Sequence, residues 1–98
     1  LLNNARIMGD KLLQGLNDLS LEYPAFVTNS RGTGLFAAFD LPSQTERDDL
    51  INKLLKNNLL MLPSGDQSIR FRPHLNVNND DLNLALEIIH SSIKSMLN

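Results

Sequence analysis

The sequence predicts an α+β fold in which helices cover one face of a small antiparallel sheet, in the order α-β-β-α-β-β-α. Three segments repeat apolar residues at helical spacing, and two pairs of short segments with strand-like composition lie between them. A Gly-containing turn separates the two segments of each pair. Such turns indicate hairpins, and hairpins pair their strands antiparallel.

The composition fits one folded domain that spans residues 1–98. Hydrophobic residues make up 42% of the chain and charged residues 20%, as in ordinary globular proteins. The formal net charge of -2 disfavours a nucleic-acid surface, which shows a basic excess or stripe. The absence of cysteine excludes disulfides and thiolate chemistry and is compatible with a reducing cytoplasm. No apolar run has membrane-spanning length, so we expect no membrane or nucleic-acid partner.

The first helix is predicted over the segment that precedes Pro24. Its apolar positions recur at helical spacing and are Leu1, Ala5, Met8, Leu12, Leu13, Leu16 and Leu19. Gly9 and Gly15 each weaken such a helix by about 1 kcal/mol relative to Ala. The chain begins inside this pattern without a methionine or a capping residue, so we expect a piece of a longer protein.

A hairpin and a second helix are predicted next. The segments "AFVTNS" and "GLFAAFDL" read as strands, with "RGTG" as the turn between them. Ser43 and Glu46 stand in capping-box register before an apolar helical stripe, and the helix should close on Asn57 and Asn58.

A second hairpin and a last helix complete the predicted order. The segments "LLML" and "SIRFR" flank the turn "PSGDQ", and Pro73 ends the strand. Asn78 is placed to cap the final helix. The apolar stripe of this helix consists of Leu82, Ala85, Leu86, Ile89, Ile93 and Met96, with Leu84 and Ile88 on an adjacent face. This apolar surface is wider than a small sheet needs, which suggests docking onto another domain.

The candidate binding residues lie in the strand "SIRFR". Side chains alternate across a sheet, so Ile69 and Phe71 point to one face while Arg70 and Arg72 point to the other. A guanidinium group matches a carboxylate or phosphate bidentately, and a strand holds it rigidly. Each arginine is therefore a candidate anion ligand, and the alternative is a structural ion pair with a nearby acid.

Other chemistry is sparse in the sequence. No paired-histidine metal spacing and no phosphate-cradling glycine loop is present, so no catalytic or metal-binding residue is predicted. His74 and Arg31 are candidates to line a site, although turn geometry alone explains the glycines beside Arg31. Asp66 is a candidate partner for a nearby arginine, and His90 reads as a helix-surface residue.

Several quoted motifs carry a family resemblance. The segments "NSRGTGLFAAFDLP", "RDDLINKLLKNNLLMLPSGDQSIRFRPHLNV" and "NNDDL", in this order, resemble the C-terminal small domain of class III pyridoxal-phosphate aminotransferases. The likeness runs from about Asn4 to the end of the chain. It is closest to the lysine branch of that family, with the 4-aminobutyrate and ornithine branches behind.

The resemblance implies a role for each candidate. Arg70 opens the "RFRP" motif and would bind a carboxylate of an amino-acid or 2-oxo-acid substrate, while Arg72 stays open as a supporting charge or a structural ion pair. His74 departs from the small residue common at its position. The lysine that carries pyridoxal 5'-phosphate and the phosphate site would lie in the large domain of the same chain, so no cofactor-binding residue is expected here.

The implied activity is transfer of a terminal amino group, that of L-lysine by the closest likeness, to 2-oxoglutarate. The parent would be a cytoplasmic homodimer, and the isolated chain would be inactive. Two other interpretations stay open at this point. One is a stand-alone, non-catalytic module that binds carboxylates or a partner protein, and the other is a purely structural domain.

Overall fold

The computed structural model describes residues 2–98 and confirms the predicted order of elements. Leu1, the first position of the predicted helical stripe, lies outside the described residues. The three helices are α1 (Leu2–Glu22), α2 (Gln44–Lys56) and α3 (Asn79–Leu97). The four strands are β1 (Thr28–Thr33), β2 (Phe36–Asp40), β3 (Leu62–Ser64) and β4 (Ser68–Phe71).

The strands form one antiparallel sheet in the order β1-β2-β4-β3. Its inner face joins the hydrophobic core through Ala37, Phe39, Ile69 and Phe71. The same core contains buried side chains from all three helices: α1 and α2 contact the strands on this face, and α3 packs against α1 and α2. The opposite face, called here the outer sheet face, carries Arg70 and its cross-strand neighbours. Within residues 2–98, no helix is long and apolar enough to cross a membrane.

The glycines of α1 have a packing role that the propensity argument did not reveal. A Cβ atom at Gly9 would lie 2.0 Å from the carbonyl oxygen of Gly34, in the loop between β1 and β2. At Gly15 it would lie 2.6 Å from a methyl carbon of Leu86 in α3. Because both positions lack a side chain, α1 approaches the sheet and α3 closely, which offsets the cost to helix propensity.

The first hairpin is shifted along the chain from its predicted position. The expectation that "RGTG" forms the turn was wrong. Arg31 and Gly32 belong to β1 and pair with residues of β2, and the loop between the strands is Gly34–Leu35. Only Gly34 of this pair of glycines has a left-handed backbone, with φ of 53°. Phe26 and Val27 were predicted to be strand residues. They instead lie in the loop that connects α1 to β1, where their side chains are buried in the core.

The second hairpin is shifted in the same direction. The predicted strand "LLML" contributes only Leu62 to β3, which continues through Pro63 and Ser64 into the predicted turn. A proline is tolerated here because β3 is an edge strand of the sheet. The remaining loop has a left-handed residue at Gly65, with φ of 56°.

The helix caps follow the prediction. Ser43 caps α2, because its hydroxyl accepts a hydrogen bond from the backbone N–H of Glu46 at 3.2 Å. Asn57 closes α2, and Asn58 after it adopts a left-handed φ of 64°. Asn78 caps α3 by accepting from a backbone N–H of the first turn. These caps set the ends of the helices that frame both hairpins.

Candidate functional site

One row of cross-strand neighbours runs over the outer sheet face and contains two of the candidate arginines. Arg31 of β1 pairs with Ala38 of β2, Ala38 pairs with Arg70 of β4, and Arg70 pairs with Leu62 of β3. Neighbours in such a row have Cβ atoms about 5 Å apart. Arg70 therefore lies between a small residue and an apolar residue on a rigid central strand.

Arg70 has an exposed side chain with no hydrogen bond or ion pair within residues 2–98. It lines a pocket of about 350 Å³, called here the Arg70 pocket. The other lining residues are Phe36, Leu60, Leu62 and Arg72. An unpaired guanidinium group against an apolar wall is suited to a ligand that has a carboxylate next to methylene groups.

Arg72 follows the end of β4 and lines the same pocket. Its Cζ atom lies 5.3 Å from the centre of the Phe36 ring, in cation–π geometry. No ion pair forms at Arg72 within the described part of the chain. Of the two roles left open by the sequence, a structural ion pair is therefore not observed.

Arg31 is held by the fold and does not join the Arg70 pocket. Its guanidinium group donates to Asp40 at 3.0 Å, to the carbonyl oxygen of Asn29 at 2.8 Å and to the Ser68 hydroxyl at 3.2 Å. Arg31 thus stabilises the pairing of neighbouring strands. The structure does not bring this candidate together with Arg70, although both belong to one row.

The Asp40 carboxylate is the centre of this polar cluster. Burial opposes its ionisation, but hydrogen bonds from Ser68, Asn29 and Arg31 outweigh that effect and lower the pKa of Asp40. The ionised carboxylate is thereby satisfied inside the fold. The prediction that Asp66 pairs with a nearby arginine was wrong within residues 2–98, where the arginine–carboxylate pairs are Arg31 with Asp40 and Arg47 with Asp48.

His74 lines a different cavity. That cavity has a volume of about 680 Å³ and lies between the loop after β4, the loop after α2 and the start of α3. His74 is exposed and is not among the residues that line the Arg70 pocket, although Arg72 borders both cavities. The structure therefore separates His74 from Arg70.

Arg47 is the residue that sequence reasoning missed. It is only 3% exposed, and its guanidinium group donates to the carbonyl oxygen of Ser68 at 2.8 Å and to those of Ser64 and Gly65 at 3.3 Å. These carbonyls belong to the hairpin that carries Arg70. A signal was available, because Arg47 stands three residues before Leu50 on the buried stripe of α2.

The lysines of this chain do not fit a pyridoxal-phosphate site on the outer sheet face. Lys11, Lys53, Lys56 and Lys94 all belong to helices, which lie on the inner side of the sheet. Lys11 donates a hydrogen bond to Asn79 at the start of α3. Among residues 2–98, no group of three histidine or acidic side chains could hold a metal ion. The surface that carries Arg70 thus offers anion recognition from its own residues.

Comparisons with known proteins agree on one family. The family model described as "Aminotransferase class-III" matches residues 1–93. L-lysine-epsilon aminotransferase from Mycobacterium bovis is 36% identical over 85 residues, which cover 87% of this chain and 19% of that protein. Mitochondrial 4-aminobutyrate aminotransferase from Mus musculus is 41% identical over 88 residues, which cover 90% of this chain and 18% of that protein.

Solved structures agree on the fold. A lysine aminotransferase from M. tuberculosis superimposes with a TM-score of 0.90 at 35% identity, covering 94% of this chain and 21% of that one. Acetylornithine aminotransferase from Elizabethkingia anophelis gives a TM-score of 0.86 at 25% identity, covering 94% and 24%. The chain therefore spans about a fifth of the length of the relatives that it matches.

Proposed function

This chain belongs to the class III aminotransferase family, and from that premise we propose that it is the C-terminal small domain of a pyridoxal-phosphate-dependent aminotransferase. In this proposal the parent protein transfers a terminal amino group to 2-oxoglutarate. The domain supplies Arg70, which binds a carboxylate of the amino-acid or 2-oxo-acid substrate. The isolated chain has no activity of its own.

The observation that carries this proposal is the free guanidinium group of Arg70. Arg31 and Arg47 pair with acids, and Arg72 lies on an aromatic ring, whereas Arg70 has no such partner within residues 2–98. A bidentate bond to a substrate carboxylate would satisfy this group, and hydrogen bonds to charged groups contribute about 1.5–3 kcal/mol each. Its position on a central strand keeps the orientational cost of binding low.

The work of catalysis is divided between the cofactor and the chain. Pyridoxal phosphate, held elsewhere in the parent, acts as the electron sink for amino-group transfer. The residues of this domain bind and orient the substrate carboxylate, and the apolar wall of the Arg70 pocket contacts the methylene groups next to it.

We propose that the large domain of the same chain covers part of the outer sheet face. Leu60, Leu62 and Leu75 support this, because they are 60%, 44% and 58% exposed and lie around the Arg70 and Arg72 side chains. On α3, Leu84 is 56% exposed, as expected if that helix also contacts another domain or the second subunit of a homodimer. Apolar patches of this kind are typical of interfaces.

The amino donor has two candidates. Similarity to L-lysine-epsilon aminotransferases supports L-lysine, donating its 6-amino group. The higher identity of 41% to a 4-aminobutyrate aminotransferase supports 4-aminobutyrate as the second candidate. Both donors carry a carboxylate that Arg70 could bind.

The test uses the full-length protein loaded with pyridoxal phosphate. We would follow the visible absorbance of the cofactor after adding L-lysine, 4-aminobutyrate or ornithine, and then measure the KM for 2-oxoglutarate. Arg70→Gln should raise that KM at least tenfold, because it removes a charge-assisted bond of more than about 1.4 kcal/mol. Arg70→Lys should recover only part of the loss, since ammonium lacks the planar fork.

A matched control is Arg6→Gln, which removes the same charge from an exposed position on α1. It should leave the KM unchanged. Failure of every donor to change the cofactor absorbance would overturn the aminotransferase proposal. An Arg70→Gln protein with the KM of the control would refute the role of Arg70 specifically.

A further inference from the structure

We infer that Arg72, oriented by Phe36, is a second anion-recognition residue of the Arg70 pocket. The inference rests on the proposed function of Arg70 and extends it to two residues that the aminotransferase proposal leaves without a role. Arg72 and Phe36 both line that pocket, together with Arg70 and two leucines. No acidic side chain is among the lining residues, so the pocket contains two positive charges with no internal counter-ion.

The backbone places the two arginines side by side. Residues two apart on an extended chain have Cα atoms about 6.6 Å apart and point to the same face. β4 extends to Phe71, and Arg72 follows directly. Both guanidinium groups can therefore approach one small anion, or the two ends of one dicarboxylate.

The Phe36 ring explains how Arg72 remains available for binding. A cation–π contact to an aromatic ring uses none of the N–H donors of a guanidinium group as an ion pair would, so those donors remain available to an anion. The Cζ atom of Arg72 lies 5.3 Å from the ring centre, so the contact holds the side chain in place. An ion pair would instead have consumed the donors, as it does at Arg31.

The like charges of Arg70 and Arg72 also have an energetic consequence. The two guanidinium groups repel one another, and a bound carboxylate would relieve that repulsion. Part of the affinity of the pocket for a carboxylate should therefore be electrostatic. Because the pocket is open to solvent, added salt should screen this contribution.

The test measures the dissociation constant of the full-length protein for glutarate, a non-reacting dicarboxylate, by isothermal titration calorimetry at low and high ionic strength. Arg72→Gln should weaken glutarate binding about tenfold at low salt, as expected for the loss of one charge-assisted hydrogen bond, and by less at high salt. Arg72→Lys should recover only part of the affinity. Phe36→Leu should weaken binding by a smaller factor, since it releases Arg72 without removing its charge.

Arg6→Gln is the matched control, because it removes one arginine from an exposed helix position. Thermal unfolding of each variant verifies that the fold is kept. The inference is overturned if Arg72→Gln binds glutarate as the control does, or if Arg72→Lys binds as the wild type does.

Failure of the inference and failure of the proposed function give different results. If Arg70→Gln weakens binding and Arg72→Gln does not, only the role of Arg72 is refuted. If neither substitution changes the affinity, or if the wild-type protein does not bind glutarate, the carboxylate site itself is refuted along with Arg72.

Discussion

The substitution Arg47→Met tests whether a buried guanidinium group holds together the hairpin that carries Arg70. Arg47 extends from α2 to three carbonyl groups of the β3–β4 hairpin. Methionine keeps an unbranched apolar stem as far as the position of the arginine Nε, so it should fill the space of the arginine methylene groups without opening a large cavity there. The substitution therefore removes the polar contacts and little else.

The magnitude follows from the geometry of each contact. The bond to the Ser68 carbonyl is short, at 2.8 Å, and lies in a part-buried place, so its loss should cost about 1.5–3 kcal/mol. The bonds to Ser64 and Gly65 measure 3.3 Å, and both residues are exposed, so water can replace the donor at little cost. The pair with Asp48 is half-exposed and contributes about 0–1 kcal/mol. We expect a total loss of about 2 kcal/mol in the free energy of unfolding. This total allows for the fact that the methionine variant no longer buries a charge, which offsets part of the lost bonding.

Urea unfolding of the chain, monitored by circular dichroism, measures this loss directly. A change of about 2 kcal/mol in the free energy of unfolding should lower the melting temperature by about 8–16 °C for a domain of this size. The slope of the free energy of unfolding against urea concentration should stay the same, because the folded state remains compact. Arg6→Met is the matched control, since Arg6 is exposed on α1 and, among residues 2–98, its side chain hydrogen-bonds to Asn3 alone.

Two results would refute this reasoning. A loss for Arg47→Met no larger than that of the control would show that the carbonyl contacts contribute nothing. A loss for Asp48→Asn as large as that for Arg47→Met would locate the energy in the ion pair, which the half-exposed carboxylate argues against.

Three further predictions concern packing, a buried hydroxyl and pH. Gly9→Ala should destabilise the chain by about 1–3 kcal/mol in urea unfolding despite its better helix propensity, because the new Cβ would meet a backbone carbonyl 2.0 Å away. Gly15→Ala should cost less in the same measurement, since its new Cβ would meet a flexible side chain. Ser92→Ala should stabilise the chain by about 1 kcal/mol in urea unfolding, because its buried hydroxyl has no partner among the described residues, and the exposed Ser91→Ala should be nearly neutral. The stability that Asp40 contributes should be complete above its unfolded pKa of about 4 and be lost as pH falls through its lowered folded pKa. The difference between the urea midpoints of wild type and Asp40→Asn should therefore shrink as the pH is lowered from neutral to about 2. A difference that stays constant over this pH range would contradict the pKa shift.

Local signals in the sequence determined the element order and the ends of the helices. Ser43 and Asn78 cap their helices as predicted, because a cap bonds to a backbone group only three residues away. The face of Arg70 also followed from the sequence, because alternation along a strand is a local property.

Only the tertiary structure decided where the hairpins turn. Phe26, Val27 and Met61 all have strand-like neighbours, yet the core buries them just before each strand begins. That choice depends on which apolar side chains best fill the space between helices and sheet, which no local pattern encodes. Each strand consequently extends into the residues that looked like a turn.

The roles of the arginines divide in the same way. The sequence by itself determined that Arg70 projects from a strand, and the family motif identified it as the carboxylate ligand to test. The tertiary structure decided that Arg31 bonds to Asp40, that Arg47 is buried, and that Arg72 lies on Phe36. The physical reason is that a guanidinium group binds whatever acceptor or ring the fold brings near it, and those partners come from other strands and turns.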